Sequence, residues 1–520
     1  MTRIAILGGG IAGLTAAYEL EKARKRGADL DWHLYESANR LGGIVETTRE
    51  QGFVLEGGPD AWVSEKPWAR DLAIELGLEQ DLIASNDATR KTYIWISKQE
   101  ASGKIADALQ PIPDHMRMMV PEDLATLESS PLFSAEARKA YAAELTRADE
   151  LKSQSPDHDE SVASFVQRHF GEEVLTKIAA PLLSGVFGGD VHKLSVRAVM
   201  PNFVTMEQEH GSLILALQRK KSERGNRPQQ AIFTTLRNGL GTLIDALLTH
   251  LPTDRIHLNR PALSIKRERN QWCLRTATPS AKGHTGKSKK HFHHILLATP
   301  TDTTRDLLTP IDPTAAQLIP TDASSAVLAA FAWPAEAAAT FTIPPGFGLL
   351  VPHTTDDDVV DDDVDDDVEK NCHPEQSEGP ASRSELHELN PQLLAATFVD
   401  QKFPHRAPAN ARILRAFFGG SSADALNPQP DAIIADAALT QLQKHLGPMP
   451  PPAITTIRRW PRSLPQYEVG HLDRIAELDR RIAELGNLTL LGNGYRGVGL
   501  PDLIRDSRAA AKSLANLPPR

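Results

Sequence analysis

The chain has 520 residues, 41% hydrophobic and 24% charged, which fits a globular protein with roughly two or three intertwined domains. Its two cysteines, Cys273 and Cys372, exclude a disulfide framework or a thiolate metal cluster, and no apolar run reaches the roughly 18 to 20 residues that span a bilayer. The net charge of -10 arises in one tract: residues 354–390 hold 14 acidic and two basic residues, so the rest of the chain is close to neutral.

The first stretch, Arg3-Ile-Ala-Ile-Leu-Gly8-Gly9-Gly10-Ile11-Ala12-Gly13-Leu-Thr, predicts a buried strand, a tight glycine turn and a helix. Gly8 allows the sharp turn, Gly10 leaves room for a pyrophosphate, and Gly13 lets helix and strand pack closely. The glycines interrupt what could pass for a signal peptide, and a cytoplasmic location is expected. An Ala-rich helix follows over Leu14–Ala23. A second strand, Asp31–Glu36, places Glu36 where a carboxylate accepts both ribose hydroxyls, with Ser37 beside it.

Next come Arg40-Leu-Gly42-Gly43-Ile-Val-Glu-Thr47 and Phe53-Val-Leu-Glu-Gly57-Gly58-Pro59-Asp60-Ala61. In isolation these glycines would be ordinary turns. Behind the first motif they become a second backbone approach to the pyrophosphate, with Arg40 offering a charge, and then a turn able to reach a ring system. Here the chain resembles the flavin amine oxidase superfamily, whose extended glycine signature binds FAD.

Farther along, Lys66–Leu76 has helical spacing with Gly77 as a C-cap, and Lys91–Ile96 predicts a short strand. From about 112 to 225 helical patterns dominate: Met116–Met119, Ser134–Asp149, Ser161–Phe170, Glu172–Ala180, Ser195–Val204 and Leu213–Arg219. Between them, Pro181-Leu-Leu-Ser-Gly185-Val-Phe-Gly188-Gly189-Asp190 marks a corner. This block, followed by Lys-Leu-Ser, narrows the resemblance to the porphyrinogen oxidases of the haem pathway. Phe233-Thr-Thr-Leu-Arg-Asn-Gly239-Leu-Gly241 agrees with it.

Residues 255–274 suggest strands returning to the nucleotide sheet, and His291-Phe-His-His-Ile-Leu-Leu-Ala-Thr-Pro300 a buried strand leaving it. The histidines alternate faces with no acidic or cysteine partner at ligand spacing, which favours a strand start over a metal site. Ala326–Ala332, Phe347–Val351, Leu393–Val399 and Arg412–Gly419 predict an antiparallel sheet, followed by a helix at Ala432–His445. The acidic tract between those strands lacks the glycine and twelfth-position glutamate of a calcium loop and is read as a disordered insertion. The blocks Arg459-Trp460-Pro-Arg-Ser-Leu-Pro465-Gln466-Tyr467 and Gly492-Asn-Gly-Tyr495-Arg496-Gly497-Val498-Gly499-Leu500-Pro501-Asp502 also resemble porphyrinogen oxidases. The second contains a GxGxxG without the βαβ unit that a nicotinamide site needs.

The expected fold class is α/β: a discontinuous Rossmann-type FAD-binding domain (1–90, 226–300, 456–520), an inserted helical lobe (91–225) and an α+β substrate domain with an antiparallel sheet (301–455). By resemblance, FAD would meet Gly8, Gly10, Ile11, Ala12, Gly13, Glu36, Ser37, Arg40, Gly43, Gly58, Pro59, Asp60, Ala61, Ala262, Trp460, Val498, Gly499 and Leu500. Phe347, Gly348 and Leu350 would line the substrate pocket and Arg90 would meet a propionate, with Lys66 and Arg70 as further cations. The resemblance implies oxidation of a porphyrinogen, coproporphyrinogen III or protoporphyrinogen IX, with dioxygen as acceptor and no catalytic nucleophile or triad. It also implies hand-over to a downstream haem-pathway enzyme. A carotenoid desaturase, an amine oxidase or a non-catalytic porphyrin carrier remain alternatives. No nucleic-acid partner is expected. At the membrane, at most peripheral association is expected, through Met116–Val120, Leu213–Leu217 and the basic residues Arg219, Lys220 and Lys221. Deleting residues 356–388 is expected to leave FAD content and turnover within a few-fold of the parent; a variant that fails to fold would show that the tract builds core.

Overall fold

Strand β1 (Thr2–Leu7) is buried on both sides, which is why its sequence is an almost unbroken apolar run. Ile4 and Ile6 face one layer with Leu34 and Leu296, while Ala5 and Leu7 face the other with Ile295 and Leu297. Helix α1 (Ile11–Lys25) crosses from β1 to β2 (Leu30–Tyr35), and the two strands pair in parallel. The computed structural model describes residues 1–99, 105–225, 230–278, 286–352 and 391–516. The acidic tract expected at 354–390 lies outside the described residues.

The nucleotide sheet has five parallel strands, in the order Ile256–His257, β2, β1, His294–Leu297 and Leu488–Leu490. Its strands come from widely separated parts of the chain, as a discontinuous Rossmann-type domain requires. Of the strands expected to return to it over 255–274, only Ile256–His257 does so. Ala262–Glu268 and Gln271–Thr278 instead form a separate antiparallel sheet with Gly286–Phe292, because a tight turn at Arg269, φ +56, folds them on each other. The helix Leu500–Ala515 packs on α1 and completes the nucleotide layer.

A second sheet has seven strands, in the order Ile454–Pro465, Ala323–Trp333, Arg412–Gly419, Ala395–Phe398, Gly348–Leu350, Thr92–Gln99 and Ile105–Pro111. The expected antiparallel arrangement holds except at one pair, since Gly348–Leu350 runs parallel to Thr92–Ile94. The hairpin of Thr92–Gln99 and Ile105–Pro111, within the stretch assigned to the lobe, extends this sheet. One face carries Val327, Ala329, Phe331 and Trp333, and the other packs Leu328, Ala330 and Ile413 on Phe53 and Leu55. Each such buried large side chain contributes roughly 1.5–3 kcal/mol by leaving water.

In the lobe, Met116–Met119 is not helical. Met116–Arg117 pairs with Val120–Pro121 in a tight hairpin with Met118 at φ +54, since the seven residues between Pro113 and Pro121 are too few to sustain a helix. The corner expected within Pro181–Asp190 falls at its glycines: the helix runs on from a π turn at Leu175–Ala179 through Ala180–Phe187, and the chain turns at Gly188, φ +61. Pro201 divides the helix expected over Ser195–Val204 into Val196–Val199 and Pro201–His210. Leu213, Ile214, Ala216, Leu217, Met119 and Val120 are all core, and among the described residues no helix is long and apolar enough to cross a membrane.

The lobe is pinned by buried charge. Glu144 accepts the Leu213 N–H and the Ser212 hydroxyl at 2.5 Å each, so it caps the helix Leu213–Arg224. His169 lies between Glu144, at 3.2 Å, and Glu207, at 3.0 Å, while Arg168 also bonds Glu207. Burial raises the Glu207 carboxyl, but its bonds from His169 and Arg168 outweigh this and hold it at about 2. The folded value is depressed, so the stability is present above the unfolded value near 4.5 and fades as pH falls toward about 2. We expect Glu207→Gln to cost about 3 kcal/mol at pH 7. Denaturant midpoints of the variant and the parent should converge on acidification through that window; a constant gap would refute the ionised assignment.

Candidate active site

The carboxyl ends of β1, β2 and His294–Leu297 open onto a cavity of about 530 Å³, the place where open parallel sheets take ligands. Gly8, at φ +108, turns the chain out of β1 and donates its N–H to the Tyr35 carbonyl at 2.9 Å. A Cβ on Gly10 would meet nothing nearer than Gly43 Cα at 3.9 Å, so this wall is open to the cavity. One on Gly13 would fall 2.0 Å from the Gly8 carbonyl oxygen, because α1 presses on the turn. Among the described residues no side chain caps α1, which leaves its first amides, around Ile11 and Ala12, available to an anion.

Glu36 is held by donors rather than by cations. Its carboxylate accepts the Gly9 N–H at 2.6 Å, the Ala38 N–H at 2.7 Å and the Ser37 hydroxyl at 3.0 Å. Gly43, Ala262 and Arg260 also line the cavity, and the buried Arg260 Nη1 has no hydrogen-bond partner among the described residues. An open cradle, an uncapped helix start, a fixed carboxylate and an orphaned guanidinium nitrogen together fit the ADP half of FAD. Arg40 is engaged elsewhere: it pairs with Glu46 at 2.9 Å and donates to the Gly43 carbonyl at 2.5 Å.

The turn Gly57–Asp60 is clamped from beneath. A Cβ on Gly58 would sit 1.9 Å from the Ile44 carbonyl oxygen, and the Trp460 indole N–H donates to the Gly57 carbonyl at 2.7 Å. Arg415 donates to the Gly58 carbonyl. Asp60 pairs with Lys402 at 3.1 Å and Arg415 at 3.5 Å. Burial pushes the Asp60 carboxyl up, yet Lys402 and Arg415 outweigh that and hold it at about 2. Arg406, 1% exposed, bonds Glu56 at 2.7 Å and the Thr235 hydroxyl at 2.6 Å, and that hydroxyl donates to the Asp60 carbonyl at 2.7 Å. Pro59 and Ala61 are half-buried within the clamp.

At the other end of the chain, Gly497, at φ +135, leads through Val498 and Gly499 into the helix starting at Leu500. The Tyr467 hydroxyl donates to the Asn493 carbonyl at 2.6 Å and accepts the Gly497 N–H at 2.9 Å. Its ring stacks on His471 with centroids 3.9 Å apart, which gives this resemblance-bearing tyrosine a role in shaping the loop. Lys66 pairs with Asp502 at 2.6 Å, so its charge is already matched.

Arg90 sits between a short turn and Thr92–Gln99, next to Lys91, whose carbonyl accepts the Phe347 N–H at 2.7 Å. Phe347 is buried, and a Cβ on Gly348 would strike the Ala396 carbonyl oxygen at 2.0 Å. Leu350 reaches the helix Ala180–Phe187 at Gly185. These residues gather around the inner strand Gly348–Leu350 of the seven-stranded sheet and its neighbour Thr92–Gln99, outside the lining of the nucleotide cavity.

Sequence reasoning missed Arg260, Thr235, Lys402, Arg406 and Arg415. Arg415 alone left a sign, as a cation in the middle of a strand that is apolar on both sides of it. It also found no partner for the histidines at 291–294, whereas His291 meets Glu268 and Cys273 across neighbouring strands.

The sequence profile of the family described as flavin containing amine oxidoreductase matches residues 11–515. The chain belongs to this family. Its cofactor is FAD, and the residues lining the cavity described above fit its ADP half. The coproporphyrinogen III oxidase of Bacillus subtilis (strain 168) is 27% identical over 513 residues, covering 98% of this chain and 96% of that protein. The chloroplastic protoporphyrinogen oxidase of Oryza sativa subsp. japonica is 25% identical, covering 98% and 88%. Among solved structures, a protein of Exiguobacterium sp. 255-15 provisionally assigned as a protoporphyrinogen oxidase has a TM-score of 0.76 at 28% identity, covering 99% and 98%.

The two glycines separate binding from folding. Gly10→Ala should leave thermal unfolding of the apoprotein unchanged while lowering the flavin-to-protein ratio after desalting, since its methyl enters the open cradle. Gly13→Ala should lower both, because its methyl collides with backbone. Stoichiometric FAD in folded Gly13→Ala would refute this role of the turn.

Proposed function

We propose that the protein oxidises a porphyrinogen to the porphyrin in haem biosynthesis, with coproporphyrinogen III as the favoured substrate. The observation that carries the reading is likeness over nearly the whole chain to proteins named coproporphyrinogen III oxidase, combined with an intact cradle for FAD. The substrate loses six electrons and six protons in three two-electron steps, and three dioxygen molecules become three hydrogen peroxides. When bound, FAD supplies the two-electron oxidation.

The protein's own residues bind and orient. Glu36 takes the ribose hydroxyls, Gly8, Gly10, Ile11, Ala12, Gly13 and Gly43 form the pyrophosphate wall with Arg40 nearby, and Ser37 and Ala262 flank the adenosine side. Gly58, Pro59, Asp60, Ala61, Trp460, Val498, Gly499 and Leu500 frame the ring end. Phe347, Gly348 and Leu350 give the macrocycle a flat apolar wall, and Arg90 pairs with a propionate. In support, Arg90 has no carboxylate partner among the described residues, whereas Lys66 has one. The reading divides the chain into the FAD-binding segments 1–90, 226–300 and 456–520, the lobe 91–225 and the substrate unit 301–455, with the edge hairpin of 92–111 serving that unit's sheet. The protein would act in the cytoplasm, at most peripherally attached to the membrane, and pass its product to the next haem-pathway enzyme.

Porphyrin fluorescence in parallel assays tests this. Coproporphyrinogen III should turn over faster than protoporphyrinogen IX, and no turnover of either would end the proposal. Arg90→Ala should raise KM for coproporphyrinogen III about tenfold with little change in kcat, the pattern of lost uniform binding. An unchanged KM would remove Arg90 from the site.

A further inference from the structure

The antiparallel sheet beside the nucleotide domain holds a second group of reactive side chains. Cys273 stands directly opposite Lys266 on one neighbouring strand and His291 on the other. Successive strand residues alternate faces, so Glu268, Cys273, Lys289 and His291 share the face away from Trp272, Leu274 and Phe292, which are buried in the core. The His291 Nε2 lies 2.9 Å from a Glu268 carboxylate oxygen, and one ligand atom each from Glu268, Cys273 and His291 all lie within 4.8 Å of one another. Cys273 is 2% exposed, while the His291 and Glu268 side chains are 40% and 41% exposed. The thiol forms a floor and the other two groups a movable rim.

The geometry points to a binding site for a divalent metal ion of the zinc class, with Cys273 Sγ, a His291 ring nitrogen and a Glu268 oxygen as ligands and water in the fourth position. Thiolate, imidazole and carboxylate form a donor set that zinc and cobalt accept, whereas calcium and magnesium take oxygen alone. Bonds of about 2.0–2.3 Å put tetrahedral ligands roughly 3.5 Å apart, so the rim must close by about 1 Å. The two exposed side chains can supply that movement. Binding releases the thiol proton to solvent and moves no electrons. Lys289, 3.0 Å from Glu268 and 53% exposed, is the competitor that must swing away. Lys266 and Arg275 add positive charge to this face, but thiolate and carboxylate together cancel the charge of the ion. The clip would join all three strands of the sheet whose first residue, Ala262, lines the nucleotide cavity.

The test titrates the FAD-loaded full chain with cobalt and then displaces it with zinc. One equivalent of cobalt should bind with a near-ultraviolet thiolate-to-cobalt band. That band should vanish in Cys273→Ser, persist in Cys372→Ser and in the 356–388 deletion, and strengthen in Lys289→Met. Affinity should fall at least about tenfold in His291→Ala and Glu268→Gln, whose exposed positions spare the fold. If Cys273→Ser fails to retain FAD, these two variants carry the test. Binding without the thiolate band, binding that follows Cys372 or the acidic tract, or unchanged affinity in His291→Ala and Glu268→Gln would overturn the proposal.

Discussion

Two guanidinium groups buried almost completely, Arg406 and Arg415, hold the molecule's two halves in register. Leaving either unpaired would cost several kcal/mol, so Glu56 and Asp60 have to stand where they do. Those carboxylates belong to the strand and turn that leave the nucleotide domain, whereas the arginines belong to the segment and strand around the large sheet. Burial pushes the Arg415 guanidinium down from its ordinary value against the pull of Asp60 and Glu56, a measure of how dry the junction is. Lys402, Arg406 and Arg415 against Glu56 and Asp60 leave one positive charge in excess under the turn. That surplus suits a cofactor that gains negative charge when reduced.

The same junction explains what the sequence could and could not disclose. The nucleotide cradle was legible because its requirements are local: an apolar strand, glycines at fixed intervals and an acidic residue at the end of the next strand. The ionic clamp was not, because Glu56 and Arg406 are 350 positions apart and Arg406 stands in no motif. Met116–Met119 failed as a helix because short apolar runs carry no period, and the flanking prolines decide them. Ala262–Glu268 was read as joining the nucleotide sheet because strand sequence does not specify its neighbour. The pairing came from the turn at Arg269. The missed contact of His291 with Cys273 has the same origin, since residues 18 positions apart meet only through strand register.

The resemblance-bearing blocks divide into two kinds of work. Gly10, Glu36 and Ala262 line the cavity, whereas Gln466 and Tyr467 face inward, where they fix the Gly188 corner and the loop before Leu500. The shape of the loop before Leu500 therefore depends on residues outside the lining of the cavity.

The order of strands in the nucleotide sheet sets a clock on synthesis. β1 and β2 leave the ribosome about 450 residues before Leu488–Leu490 and the helix packed on α1. At about 5–20 residues per second, the delay is roughly 25 to 100 s. For that interval the nascent chain presents an apolar parallel sheet with an unpaired edge, the kind of surface that chaperones hold and that aggregates when it is left uncovered. The nucleotide layer is therefore complete only when segments from both ends of the given sequence have been made.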